Sequence, residues 1–182
     1  ALHETLARTP RDEDALRQRL GIAAPDAVGR SYEESLQYPS LNVRGLRAAW
    51  VGEQARTIIP ASATAELDLR LVAESDAGRL VGLVRRHVES EGYHLVAGTE
   101  PTEAERARYP KLAAFSHEIS YGAFRTPYEA PASHWLARAL TRADGTPPVQ
   151  IRTMGGSIPI APFVVALGVP AVVVPTVNPD NN

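Results

Sequence analysis

The clearest pattern along the chain is a strict alternation of apolar and polar residues over residues 57–72. One face of this segment is apolar and consists of Ala63, Ala65, Leu67, Leu69 and Leu71. The other face carries Thr64, Glu66, Asp68 and Arg70. Because successive side chains of a strand point to opposite faces, the alternation predicts a long antiparallel strand with one face in water.

Shorter patterns predict further elements on either side of this strand. Residues 40–51 alternate more weakly and predict a half-buried strand before it. After it, a helix with apolar residues at helical spacing begins at Asp76, a residue suited to the N-cap, and ends at Gly92. Residues 93–96 then return as a strand.

The first 36 residues predict one short helix, which ends at Gly21, and contain no convincing strand. The order strand, strand, helix, strand that follows is most of a split β-α-β-β-α-β sheet. We therefore expect an antiparallel α+β unit in the first half of the chain, with its first strand missing.

The pattern changes near residue 99, and the second half alternates between strands and helices. It predicts a linker or short helix at 99–109, strands at 113–121, 149–151 and 171–175, and helices at 131–143 and 158–167. The last strand is apolar at every position, which is typical of a strand covered on both faces. The second half therefore predicts part of a parallel α/β unit.

Composition excludes several classes of protein. The 182 residues allow one domain or two small ones, and the absence of cysteine excludes a disulfide scaffold, a zinc ribbon and a thiol nucleophile. A net charge of −2 provides no basic surface for nucleic acid, and no apolar run approaches the roughly 20 residues of a membrane span. We expect a cytoplasmic protein that binds neither nucleic acid nor membrane.

Five histidines are enough in number for a metal site, but their positions do not favour one. They are His3, His87, His94, His117 and His134. No two of them stand at ligand spacing, and the pair His117-Glu118 lacks the second histidine of a helical H-E-x-x-H motif. We predict no complete metal centre, and no bound metal, on this chain alone.

The turn Gly155-Gly156-Ser157 is open to three interpretations. A nucleophile elbow needs G-x-S-x-G, and here Ile158 and Pro159 follow the serine. A tight turn with Ser157 as the N-cap and Pro159 in the first helical turn is the plain structural reading. Two glycines before a helix also let backbone N–H groups converge on an anion, so the turn suits a carboxylate cradle.

Arg70 lies at the end of the polar strand face and has two interpretations. It stands two residues after Asp68 and four after Glu66 on the same predicted strand. Either it forms an ion pair with an acid on a neighbouring strand, or its planar guanidinium binds a substrate carboxylate in bidentate fashion. Thr57 offers a hydroxyl at the strand's entrance, and Arg152 is placed to pair with an acid or with the same anion.

Several segments, in this order and spacing, resemble the carboxy-terminal part of an M20-family metallopeptidase of the carnosine-dipeptidase-like branch. They are Tyr38-Pro39-Ser40-Leu41, Arg56-Thr57-Ile58-Ile59-Pro60, Leu69-Arg70-Leu71-Val72, Gly155-Gly156-Ser157-Ile158-Pro159 and Val177-Asn178-Pro179-Asp180-Asn181-Asn182. The resemblance implies two units: a ferredoxin-like lid and dimerisation domain at 1–98, lacking its first strand, and at 99–182 a partial segment of an α/β catalytic domain.

The resemblance also implies a function and a set of site residues. The parent protein would hydrolyse a peptide or amide bond of a small peptide or N-acyl amino acid, with two divalent metal ions such as zinc, and would form a homodimer through the lid. Arg70 would bind the substrate carboxylate, Ser157 with Gly155 and Gly156 would complete that pocket, and Thr57 would reach the neighbouring subunit's site. No metal ligand or catalytic residue is assigned within this chain, so we expect it to be inactive by itself.

Two other functions remain open at this point. The chain is alternatively a non-catalytic dimerisation or small-ligand-binding α+β module, since sheets of this kind pair edge to edge or bind amino acids in proteins of many functions. A third hypothesis is a serine hydrolase built on Ser157.

Overall fold

A computed structural model describes residues 6, 9, 12–26, 28–156 and 158–176 of the chain, which fold as an α+β protein. Its helices are α1 (Glu13–Leu20), α2 (Tyr32–Ser35), α3 (Ala77–Ser90), α4 (Glu103–Arg108), α5 (Pro131–Asp144) and α6 (Ala161–Leu167). Its strands are β1 (Ser40–Arg47), β2 (Thr64–Arg70), β3 (His94–Leu95) and β4 (Leu112–Ala113), with a 3₁₀ turn at Gly52–Gln54.

The helix ends follow from local capping. Asp76 accepts a hydrogen bond from the backbone N–H of Arg79 at 2.5 Å and starts α3, as predicted. The predicted helix before Gly21 is α1, and this glycine closes it in the left-handed conformation. Of the two alternatives for residues 99–109, the short helix is confirmed: α4 begins with a capping box between Thr102 and Glu105.

Strands β1 and β2 form an antiparallel pair, in which Ser40 faces Arg70 and Arg47 faces Thr64, with a bulge between Val43 and Gly45. The prediction of a strand over residues 57–72 is too long. Residues 57–63 have no strand conformation, because β1 ends at Arg47 and leaves them without a partner in the described backbone. The prediction of a half-buried β1 is also wrong, since nearly all its residues are exposed.

Strands β3 and β4 form a separate parallel pair, in which His94 faces Leu112 and Leu95 faces Ala113. Helix α4 connects them, as parallel strands require a crossover. Within the described residues, therefore, β3 forms a ladder with β4 and not with the β1–β2 pair. This ladder also crosses the boundary that we placed between residues 98 and 99.

Three strands predicted in the second half are wrong. Beyond β4, residues 114–121 are irregular, and neither 149–151 nor 171–175 is a strand. An apolar run becomes a strand only beside another strand, and these runs have none among the described residues. The Thr126 side chain instead binds the backbone of Ala171, donating to its carbonyl at 2.6 Å and accepting from its N–H at 3.1 Å.

The helix predicted at 131–143 is confirmed as α5, whereas the one predicted at 158–167 begins late. Helix α6 starts at Ala161, and its N-cap is Ile160, which makes no side-chain capping bond. The proline in the first helical turn is Pro162 and not Pro159, so the helix starts later than predicted. The prediction that Ser157 caps this helix is therefore wrong, although Ser157 itself lies outside the described residues.

The described elements surround an open space and bury few side chains. The only buried apolar residues among them are Leu6, Val96 and Ala161. The chain exposes 14481 Å², whereas a compact monomer of this mass exposes about 8,600 Å². The described helices include none that is both long and apolar enough to cross a membrane.

Two glycines with positive φ give a matched test of this local structure. Gly21 (φ 65°) has open space where a Cβ would lie, whereas a Cβ on Gly29 (φ 75°) would come within 2.7 Å of Cγ of the buried Glu34. We expect Gly21→Ala to lower the free energy of unfolding by about 1–2 kcal/mol through backbone strain alone, and Gly29→Ala by about 2–4 kcal/mol because overpacking adds to strain. Urea unfolding followed by circular dichroism measures the free energy of unfolding of both variants. Equal losses in the two variants would show that the contact with Glu34 adds nothing to the backbone strain.

Candidate functional site

A wide cleft of 1260 Å³ separates the β1–β2 pair and α3 from the irregular segment 113–125. Helix α3 turns apolar residues toward it, among them Val81, Val84 and Val88. Every residue of strand β2 lines the cleft, polar and apolar alike. Residues 153–161 contribute Thr153, Met154, Gly156, Ile158 and Ala161. The cleft therefore brings the end of β2 and the glycine turn to one place.

Arg70 lines this cleft at the last position of β2. Its Nε donates to Oδ2 of Asp68 at 2.5 Å, and its side chain is 52% exposed. Asp68 is on the same strand as Arg70, and a cross-strand ion pair joins Arg44 to Glu66 at 3.1 Å. The Arg70 guanidinium is thus half-exposed, and Asp68 binds its Nε edge.

The two described glycines of the turn play different parts. Gly156 lines the cleft, whereas Gly155 lies against Leu36, whose Cδ2 would be 3.2 Å from a Cβ at this position. Because α6 begins only at Ala161, the turn does not run directly into a helix. The N-terminus of α6 therefore begins five residues beyond Gly156 and does not directly follow the glycines.

Thr57 lies apart from these residues. It is exposed in the segment between the 3₁₀ turn and β2, and it does not line the cleft. Its neighbour Ile59 is 95% exposed. Of the predicted site residues, the structure thus brings Arg70 and Gly156 into one cleft, places Gly155 behind it, and leaves Thr57 on the surface.

A cluster of charged residues next to the cleft was not predicted. Both carboxylate oxygens of Glu74 accept hydrogen bonds from the guanidinium of Arg125, one of them at 3.0 Å. Nη2 of Arg152 lies 3.9 Å from the same carboxylate, which confirms that Arg152 pairs with an acid. Glu74 and Arg125 are 51 residues apart in irregular segments, and neither periodicity nor a motif indicates that they meet.

Hydrogen bonds connect residues 150–153, the segment that contains Arg152, to Gln37 and Tyr128. Nε of Arg152 and the hydroxyl of Thr153 both donate to Oε1 of Gln37, at 3.0 Å and 3.2 Å. The hydroxyl of Tyr128 donates to the carbonyl of Gln150 at 3.3 Å, and burial raises the pKa of this phenol, so it remains a neutral donor at physiological pH. These bonds hold residues 150–153 close to the end of α2.

The Glu74 cluster predicts a pH dependence of stability. The hydrogen bond from Arg125 lowers the pKa of Glu74 below its ordinary value. A carboxyl with a lowered pKa in the folded state stabilises the fold above its unfolded pKa, and this contribution disappears as pH falls through the folded pKa. We expect Glu74→Gln to cost up to about 1 kcal/mol at neutral pH, because the side chain is 59% exposed, and less in acid.

Chemical unfolding of both proteins between about pH 7 and about pH 3, across the ordinary glutamate pKa of about 4.3, measures this difference. The two stabilities should converge as the carboxyl becomes protonated. A difference that stays constant with pH would show that Glu74 does not act through its charge.

The described part of the chain contains no group of three or more histidine, aspartate or glutamate side chains arranged to hold a metal ion. His94 contacts a single acid, Glu105, at 3.5 Å, and its ring stacks on Tyr109 with centroids 3.7 Å apart. The groups of the described cleft lining that could donate hydrogen bonds to an anion include the guanidinium of Arg70 and the backbone of Gly156.

Comparison with solved structures finds the same fold in a peptidase. The chain matches the M20 family metallo-carboxypeptidase Sso-CP2 of Sulfolobus solfataricus with a TM-score of 0.65 at 24% sequence identity. The match covers 91% of this chain and 34% of that one. The two chains therefore share a fold over nearly the whole length of this one.

Sequence comparison points the same way over a shorter stretch. The Cys-Gly metallodipeptidase DUG1 of Saccharomyces cerevisiae is 33% identical over 55 residues, and that of Candida albicans is 34% identical. Each match spans 30% of this chain and 11% of the relative's length. No family model matches the chain. Taken together, the shared fold and these matches relate the chain to the M20 metallopeptidases.

Proposed function

We propose that this chain is part of an M20-like metallopeptidase that hydrolyses a peptide or amide bond in a small substrate with a free carboxylate. The observation that supports this most directly is that Arg70 and Gly156 line one cleft in a chain with the fold of an M20 peptidase. Dipeptides and the carboxy-terminal residues of peptides both carry the free carboxylate that such a cleft would recognise.

In this proposal Arg70 binds the substrate carboxylate. Its planar guanidinium matches the two oxygens of a carboxylate, and a charge-assisted pair of this kind is both strong and directional. Asp68 holds Nε at 2.5 Å and so orients the side chain before the ligand arrives. Gly156, and Ser157 beside it, would complete the pocket with backbone and hydroxyl groups. We assign no catalytic residue to this chain.

We further propose that the first half of the chain belongs to a ferredoxin-like lid, residues 1–98, and the second half, 99–182, to the catalytic domain. Strand β1 presents Leu41, Val43 and Leu46, which are 52%, 66% and 77% exposed. An edge strand with exposed apolar residues can pair with a strand of another chain through its outward backbone N–H and C=O groups. We therefore propose a homodimer formed through the lid, in which Thr57 reaches the neighbouring subunit; sedimentation velocity tests it.

A metallopeptidase needs divalent metal, and we propose two ions such as zinc, which would activate water in the whole enzyme. The described residues do not fit a metal centre, because no three ligand side chains among them converge. We therefore derive no step through the metal. The role proposed for this chain is to bind and orient the carboxylate end of the substrate.

The test compares N-acetylglycine with its uncharged analogue N-acetylglycinamide. Both are titrated into the isotope-labelled chain, and NMR follows the Nε–H of Arg70 and the amide of Gly156. We expect saturable changes at both groups with the acid and none with the amide. Equal responses to both compounds, or changes confined to other residues, would contradict the proposal. If the acid binds but the full-length gene product supplied with zinc hydrolyses no dipeptide or N-acyl amino acid, a non-catalytic ligand-binding module is the better description.

A further inference from the structure

Glu74 is the point at which three distant segments of the chain meet. It follows the end of β2 by four residues, and this short connection is fastened by bonds between Val72 and Ser75 at 2.9 Å and 3.2 Å. The carboxylate binds Arg125 from the segment 113–125 and lies 3.9 Å from Arg152. The position of Glu74 is thus tied to the strand that ends in Arg70.

The glycine turn is held from the opposite side by the end of α2. Gln37 accepts from Arg152 and Thr153, which are 115 and 116 residues away along the chain. Gly155 rests on Leu36, the neighbour of Gln37. Residues 152–155 therefore lie between the end of α2 and Glu74, and they directly precede the cleft-lining Gly156.

The charges make Glu74 the critical member of this arrangement. Arg125 and Arg152 both approach one carboxylate, so the carboxylate screens two like charges from each other. When it is removed, the guanidinium groups repel at short range. In the pair of Arg152 with Glu74, the arginine is the more buried, with 29% of its side chain exposed against 59% for Glu74. Arg152 also belongs to the segment that contains the glycine turn.

We propose that Glu74 is a positioning residue: by pairing with Arg125 and Arg152 it holds the glycine turn beside the end of β2, so that Gly156 and Arg70 face the same ligand. This inference rests on the proposed function for its ligand, but the position of the turn is measurable without any ligand.

The test uses three variants of the full chain. Glu74→Gln removes the charge at almost constant size, Glu74→Asp retains the charge, and Glu89→Gln removes an exposed acid that pairs only within α3, with Arg85 at 3.7 Å. NMR first records the amide shifts and hydrogen exchange of Gly155 and Gly156 without ligand. We expect Glu74→Gln to change both, Glu74→Asp to restore them in part, and Glu89→Gln to leave them as in the unmodified protein.

The second measurement is the dissociation constant for N-acetylglycine. We expect Glu74→Gln to weaken binding about five-fold, the size of effect that an exposed ion pair typically has, and Glu89→Gln not to change it. If the unmodified chain does not bind the acid, the proposed function fails. The role of Glu74 is then tested only by the amide shifts and hydrogen exchange of Gly155 and Gly156. If these amides are unchanged in Glu74→Gln, or change equally in Glu89→Gln, the inference is wrong. Should Glu74→Gln not fold, Arg152→Gln removes the pair between Glu74 and the glycine segment from the other side, and its glycine amides must also shift.

Discussion

Replacing Arg70 by alanine should weaken the binding of N-acetylglycine by about 10- to 150-fold, the loss of a charged hydrogen bond worth about 1.5–3 kcal/mol. The reason is that Arg70 is the cation of β2 on the cleft, where a carboxylate can meet its guanidinium. N-acetylglycinamide should give no saturable response with this variant, as with the unmodified chain, because it has no carboxylate for Arg70 to bind. Titration of both compounds into the variant measures the two effects.

Arg44→Ala is the matched control for this prediction. Arg44 also lines the cleft and is also paired with an acid, and its side chain is 67% exposed against 52% for Arg70. We expect it to bind the acid as the unmodified chain does. Arg70→Lys should fall between, because lysine keeps the charge but lacks the planar fork. If Arg70→Ala binds the acid normally, Arg70 does not bind the carboxylate of the acid. In the full-length enzyme the same substitution should raise KM for substrates with a free carboxylate.

Gly155→Val should have the second largest effect. A Cβ at this position already lies 3.2 Å from Cδ2 of Leu36, and valine adds two further carbons. Overpacking of this kind costs about 1–3 kcal/mol, and relief by moving the turn would displace Gly156 from the cleft. If the turn moves away from Leu36 in the free protein and must return to bind the ligand, this strain reduces the binding free energy. We then expect binding of N-acetylglycine to weaken by about 5- to 150-fold.

Two further variants separate displacement of the turn from a general effect of valine. Gly122→Val places the same side chain elsewhere on the cleft, where no atom lies within 4 Å of a Cβ, and should bind normally. Leu36→Ala combined with Gly155→Val makes room for the new side chain and should recover part of the lost affinity. Loss of affinity in Gly122→Val as well, or no recovery in the double variant, would show that contact with Leu36 is not the cause.

Most helices were predictable because their determinants are local. Asp76 and Gly21 cap helices through bonds to residues three or four positions away, so the sequence around them contains the whole signal. The beginning of α6 was mistaken because Ser157 is a suitable N-cap by type, but the two prolines near it and the backbone they permit decided otherwise.

Strands were overpredicted for a different reason. The apolar run at 171–175 and the alternation at 57–63 both have the composition of strands. A strand also needs a neighbouring backbone, however, and in the described residues neither run has one. Residues 94–95 do find a partner, in a parallel ladder with Leu112–Ala113 that no pattern indicated.

The sequence by itself determined the residue chemistry and the local elements: an arginine at the end of an alternating strand, two glycines before an apolar helix, and the caps of the other helices. Only the tertiary structure decided that Gly156 lines the same cleft as Arg70, and that Glu74 joins Arg125 and Arg152. Capping and alternation act over a few residues, whereas the Glu74–Arg125 ion pair joins residues 51 positions apart and the hydrogen bond from Thr153 to Gln37 joins residues 116 positions apart. Local patterns contain no information about such distances, because they arise only when the chain folds.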